Sequence, residues 1–331
     1  MNAERGQGSV GSTHQFVWES ISASVRGASH DRSGKPNQDA VRCVAKPGLG
    51  LVATVCDGHG GDRYVRSDVG ARVATEVATE LGGAVLDHLV ARSPESASAE
   101  SISVGPVSAE SISVGPISAE SISAERIKQV LCDSVPVLLA YWRNRVMADY
   151  RSRPFDETEV AVGGADLASE PLVAYGCTLV MGIFAPLWVG FIQIGDGDVT
   201  AVDGSRVGTP VPADDRLVGN QTTSLCLPSA TQDARVAALV GDLPDLVLLS
   251  TDGYANSFSS SDWRNSVGVD MLRQLDEHGI DEVERLLPAW LEDSATASGD
   301  DVTMALVRRA FDRRSSGAAT LERTAVEDTA K

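Results

Sequence analysis

Residues 49–61 read LGLVATVCDGHGG: an apolar run of strand length, Leu49 to Cys56, that stops at Asp57-Gly58, where glycines break the pattern. Asp57 therefore caps a buried strand. Three other segments repeat the design. Leu246 to Thr251 (LVLLST) delivers Asp252-Gly253, Trp188 to Ile194 (WVGFIQI) runs into Gly195-Asp196-Gly197-Asp198, and Val302 to Val307 (VTMALV) follows Asp300-Asp301. A carboxylate at a strand end costs little, because it lies outside the sheet where water or a cation can satisfy it. If these ends share one rim, the acids converge, and converging carboxylates repel one another unless a proton or cation neutralises them. An oxygen-only donor set suits Mg²⁺ or Mn²⁺. It does not suit zinc: His14, His30, His59, His88 and His278 show no paired ligand spacing, and the five cysteines contain no C-x-x-C.

Composition narrows the partners. The net charge of −18 disfavours nucleic acid and anionic membranes, and an odd cysteine count without a framework reads as reduced thiols in a cytoplasmic setting. A chain so negative can attract a phosphate ester only if bound metals reverse the local field. Met1 to Gln15 has no apolar core and reads as neither signal peptide nor anchor. Cys177 to Ile194 approaches membrane-spanning length, but Ala185-Pro186 divides it into two buried strands around a turn.

Helical spacing marks Val65 to Leu81, with Gly82-Gly83 as the stop; Ile127 to Val146, bent at Pro136; and Val283 to Leu291. The reading gives a flexible tail over 1–18, one folded domain over 19–310 and a second tail over 311–331. Inside the domain, the duplicated decapeptide SAESISVGPV forms a disordered insertion bounded at 93–125, and 150–171 forms a solvated acidic loop.

Taken in chain order, PNQD at Pro36 to Asp39, VCDGHGG at Val55 to Gly61, YGCT at Tyr175 to Thr178, GDGD at Gly195 to Asp198, STDGY at Ser250 to Tyr254 and GDDVT at Gly299 to Thr303 resemble the bacterial-like type 2C, metal-dependent serine/threonine protein phosphatases, the PPM family. The resemblance implies an α+β fold: a four-layer αββα sandwich of two antiparallel sheets flanked by helices, with a binuclear metal site at one end. It implies that Asp57, the Gly58 carbonyl, Asp252, Asp300 and Asp39 hold two Mn²⁺ or Mg²⁺ ions. Ions about 3.5–4 Å apart would share a hydroxide that attacks phosphorus directly. His59 is then the expected general acid for the serine or threonine leaving group.

Several positions depart from the pattern. Gln38 replaces the usual Glu, Asp301 the usual Asn, and Asp198 stands where the family has Arg. The Asp that some relatives use for a third metal would fall near Val173, which cannot ligate, leaving Asp196 without that partner. The phosphate-holding Arg is absent, with Lys35 or Arg32 as the nearby cations; Lys lacks the bidentate fork. The family's mobile flap would lie within Asp203 to Asp242. The implied substrates are phosphoserine and phosphothreonine proteins opposite a Ser/Thr kinase. The alternative is a catalytically weak or inactive module that keeps the fold and binds phosphoproteins.

Overall fold

The structure, a computed structural model, describes residues 16–90, 123–217, 222–260 and 262–311. Its strands are β1 (Phe16–Val25), β2 (Ala40–Lys46), β3 (Gly50–Cys56), β4 (Leu179–Phe184), β5 (Trp188–Ile194), β6 (Asp198–Asp203), β7 (Arg206–Gly208), β8 (Arg235–Val240), β9 (Leu246–Ser250) and β10 (Val302–Phe311). Its helices are α1 (Ala28–Ser33), α2 (Ser67–Val90), α3 (Ala124–Ser152), α4 (Glu157–Gly163), α5 (Ala230–Asp233), α6 (Asp252–Ala255), α7 (Trp263–His278) and α8 (Ile280–Ser298).

The strands form two antiparallel five-stranded sheets, ordered β1-β10-β9-β6-β7 and β2-β3-β4-β5-β8. The alternation of side chains along each strand builds the layers. Leu51, Ala53 and Val55 of β3 face Val247, Leu249, Ala305 and Val307 across the gap between the sheets. Val52 and Cys56 face the other way, onto α2 and α3, while Leu246, Leu248, Met304 and Leu306 face α7 and α8. Both faces of the central strands are buried, so β4 and β5 read as continuous apolar runs. The order helix, sheet, sheet, helix is the four-layer sandwich that the resemblance implies.

Ala185-Pro186 does turn the chain between β4 and β5: the Ala185 N–H donates to the Trp188 carbonyl at 2.9 Å and Leu187 is exposed. Pro136 sits inside α3 on its exposed side, where water can satisfy the carbonyl its missing N–H leaves unpaired.

Four expectations are corrected. Gly82-Gly83 does not stop the first long helix; α2 runs on to Val90, because Gly82 lies where the helix meets β3 and β4 and a Cβ there would come within 2.7 Å of Val52. β1 starts at Phe16, inside the expected tail, and pairs with β10 to its last residue, Phe311. Ser123, inside the expected insertion, caps α3 by accepting from the Arg126 N–H at 3.2 Å; the decapeptide copies and both expected tails beyond these strand ends lie outside the described residues. The Asp203 to Asp242 stretch is no plain loop, since it supplies β7 and the sheet-edge strand β8.

The acidic 150–171 stretch is also structured. Asp156 and Glu159 form a capping box at the start of α4, and Glu159 holds the buried Arg66 through both of its oxygens, at 2.6 and 2.8 Å. Arg66 also donates to the Tyr175 hydroxyl at 2.8 Å and to the Arg153 carbonyl at 2.7 Å. An isolated charge at that depth would be costly, and these partners are what make it tolerable.

Candidate metal centre

β3 and β9 end at the same rim of the sandwich, so Asp57 and Asp252 leave it side by side, and the turn between β5 and β6 adds Asp196. One carboxylate oxygen from each of the three lies within 4.8 Å of the others. Among the described residues this is the one such cluster of His, Cys, Asp or Glu. The electrostatics match the crowding. Asp57 is held well above the usual carboxylate range by burial and by the charges of Asp39 and Asp252. Asp252 is pushed up to about 6 by burial and by Asp196. Three carboxylates crowded together, Asp57 and Asp252 among them resisting ionisation, with no imidazole or thiol in the group, make a donor set fitted to a hard dication.

The backbone of Asp57-Gly58 is fixed from below. The Asp57 N–H donates to the Thr178 hydroxyl at 3.1 Å, the Thr178 N–H donates to the Asp57 carbonyl at 2.8 Å, and Gly58 makes an isolated bridge with Cys177. A Cβ at Gly58 would collide with the Gln38 carbonyl and come within 2.8 Å of the Ser67 carbonyl, so only glycine fits there.

Asp39 and Asp300 lie within electrostatic reach of this cluster but outside its tightest triad. Asp39 accepts from the Thr251 hydroxyl at 2.8 Å and is raised well above the usual range by burial and by Asp301. Asp300 stands at the exposed rim, its carboxyl raised by partial burial. Asp196 is the addition that the implied ligand set omits; its signal was the Gly195-Asp196 step directly after a buried strand.

His59 donates its backbone N–H to the Gly176 carbonyl at 3.1 Å, and its ring meets Tyr64 edge-on with centroids 4.7 Å apart. Burial pushes its imidazole down to about 4, against a smaller upward pull from Asp196. At neutral pH the ring is therefore neutral, which runs against a resting imidazolium standing ready as the acid.

The two candidate phosphate cations separate. Lys35 reaches the glycine loop, donating from Nζ to the Gly60 carbonyl at 2.5 Å. Arg32 is exposed on α1 and makes no hydrogen bond or ion pair with the described residues. Asp198 is paired with Arg264 of α7 at 2.9 Å to Nε, so a guanidinium reaches this strand end from another element. Asp301 points away from the cluster, onto His30, Gly27 and Gln38.

The protein phosphatase 2C family model matches residues 26–292. Among solved structures, PppA of Pseudomonas aeruginosa, described as a key regulatory component of its T6SS, is 17% identical with a TM-score of 0.52, covering 89% of this chain and 98% of that one. A bacterial serine phosphatase is 12% identical with a TM-score of 0.52, covering 89% of this chain and 99% of that one. A serine/threonine phosphatase of S. agalactiae is 14% identical with a TM-score of 0.50, covering 88% and 99%. No curated protein matches the sequence. At these identities the structural likeness carries the fold, and the family rests on the sequence model. With that model spanning most of the chain, over the same stretch that brings Asp57, Asp196 and Asp252 together, the chain belongs to the protein phosphatase 2C family.

Proposed function

We propose that this protein is a metal-dependent protein serine/threonine phosphatase that acts in the cytoplasm on phosphoserine and phosphothreonine proteins, opposite a Ser/Thr kinase. The observation that carries the reading is the triad of Asp57, Asp196 and Asp252, whose oxygens lie within 4.8 Å of one another at a rim where burial and neighbouring charges hold the Asp57 and Asp252 carboxyls high. The Gly58 carbonyl, Asp39 and Asp300 complete the set we assign to two Mn²⁺ or Mg²⁺ ions. Bound there, the ions would activate water and neutralise the phosphate.

The chain's own residues supply the rest. Lys35, anchored on Gly60, presents a positive charge beside the loop and orients the phosphate as a point charge. His59, neutral at rest, its backbone held by Gly176 and its ring by Tyr64, has a ring N–H to donate to the leaving oxygen. A second reading, a module that binds phosphoproteins with little turnover, draws on the same low His59 value and on the missing guanidinium.

Hydrolysis of nitrophenyl phosphate and of phosphothreonine peptides decides between them. The enzyme reading expects turnover with Mn²⁺ that stops in excess chelator, and a loss of at least about a hundredfold in Asp57→Asn and Asp196→Asn together with weakened Mn²⁺ binding by calorimetry. Full activity in chelator would refute it; phosphopeptide binding with no turnover would establish the second reading.

A further inference from the structure

The charge of Asp301 faces inward. Asp301 is 3% exposed, and its two oxygens accept from the Gly27 N–H at 2.7 Å, the Gln38 N–H at 2.6 Å and His30 Nδ1 at 2.9 Å. One carboxylate thus ties three points of the arc from Gly27 to Gln38. The arc is pressed onto the same turn elsewhere: Ser29 donates to the Gly299 carbonyl from its N–H at 2.9 Å and its hydroxyl at 2.5 Å, and a Cβ at Gly27 would meet the Gly299 carbonyl within 2.6 Å.

From this seat the arc reaches the DGHGG loop. Gln38 Nε2 donates to the Ser67 hydroxyl at 2.5 Å and to the His59 carbonyl at 3.3 Å, and Lys35 Nζ holds the Gly60 carbonyl. A carboxylate only accepts, so His30 must donate from Nδ1, which leaves Nε2 as its second polar atom. That atom faces Gly60: a Cβ built there would lie 3.9 Å from His30 Nε2 and 3.8 Å from Gln38 Oε1. Gln38 is 6% exposed and its Oε1 is buried without a partner among the described residues, so this corner is held by the arc's placement rather than by a closed hydrogen-bond network.

We propose that His30 and Asp301 form a positioning pair that seats the arc from Gly27 to Gln38 and, through Gln38 and Lys35, sets the backbone of His59 and Gly60, while Asp39 is held separately by the Thr251 hydroxyl. Neither His30 nor Asp301 is a metal ligand in this arrangement.

The kinetic arm of the test rests on the phosphatase reading; the exchange arm does not. His30→Ala is expected to raise the Michaelis constant for a phosphothreonine peptide about tenfold, the scale of one lost hydrogen bond to a charged group, while Mn²⁺ affinity by calorimetry stays within about twofold. His30→Asn, which keeps a side-chain N–H near the Nδ1 position, should restore it. Lys35→Ala should add little on top of His30→Ala, because the lysine is already misplaced. Amide hydrogen exchange at Gly27, Gln38 and His59 should speed up in His30→Ala and Asp301→Asn and return towards wild type in His30→Asn. An unchanged Michaelis constant, additivity with Lys35→Ala or a ligand-like loss of Mn²⁺ affinity would overturn the proposal. If the wild-type protein turns nothing over, the phosphatase reading falls alone; equal exchange at those amides in wild type and His30→Ala would then overturn the positioning pair.

Discussion

At the scale of single residues, the site is a negative cluster with few cations to offset it. Lys35 is the cation that reaches the glycine loop, since its Nζ sits on the Gly60 carbonyl while Arg32 projects from α1 into solvent. A point charge near a phosphate is worth one charge-assisted contact, so Lys35→Ala should raise the Michaelis constant for phosphopeptide about tenfold at saturating Mn²⁺. Arg32→Ala should stay within about twofold by the same steady-state measurement, because its charge is exposed to screening solvent. An effect confined to Arg32→Ala would transfer the phosphate contact to that residue. His59 shows why residue type alone misleads here. A histidine beside an acidic cluster would ordinarily gain protons, but burial outweighs Asp196 and takes the ring down to about 4.

At the scale of elements, α2 carries two adjacent glycines that do different jobs. A Cβ at Gly82 would stand 2.7 and 3.0 Å from the two methyls of Val52 and 3.4 Å from Ile183, all packed core. A Cβ at Gly83 would meet only the Lys46 side chain, no nearer than 3.4 Å, and that chain can move. Alanine improves helix propensity by about 1 kcal/mol at either place, whereas overpacking a core costs about 1–3 kcal/mol. Gly82→Ala should therefore lower stability by up to about 2 kcal/mol, and Gly83→Ala should be neutral or stabilising by up to about 1 kcal/mol, both read from urea unfolding midpoints. Equal effects at the two sites would mean that α2 is not pressed onto β3 through Gly82. The same helix receives its first turn from the Arg66 socket, where the Arg66 N–H donates to the Ala174 carbonyl at 2.8 Å and so links the acidic stretch to the YGCT turn under Asp57.

At the scale of the whole molecule, the net charge of −18 and the strained carboxylates act together. Asp252 titrates at about 6 in the folded chain against 3.8 for its ordinary value, and Asp57 and Asp39 are shifted the same way. Between those values the folded state holds more protons than the unfolded one. The stability these groups lend is present below the ordinary value and is lost as pH rises through the folded one. Glu159 has the opposite sign, depressed by its hydrogen bond with Arg66, and its contribution is lost only as pH falls through that depressed value. Metal-free protein should therefore melt about 5 °C lower at about pH 8 than at about pH 5.5, and Mn²⁺ should flatten that slope by neutralising the cluster. Thermal scans at both values, with chelator and with Mn²⁺, check it; a chelator-insensitive slope would place the effect elsewhere on the surface.

The apolar runs by themselves determined where β3, β5 and β9 lie and that each ends on or beside an acid, because a strand buried on both faces must read as an unbroken apolar stretch and must stop where polar groups regain water. The Asp57, Asp252 and Asp196 placements followed from that. Tertiary structure alone decided which acids meet. Asp196 joins the triad and Asp301 turns inward to His30, although both occupy the same kind of strand-end position, since direction at a turn is set by the neighbours packed against it. It also decided that the 150–171 stretch is a socket and not a loop: its acids look solvated until Arg66, buried some ninety positions away in the chain, arrives to pair with Glu159. Local composition records what a segment can satisfy alone, and a buried ion pair is satisfied only by a partner that the fold delivers.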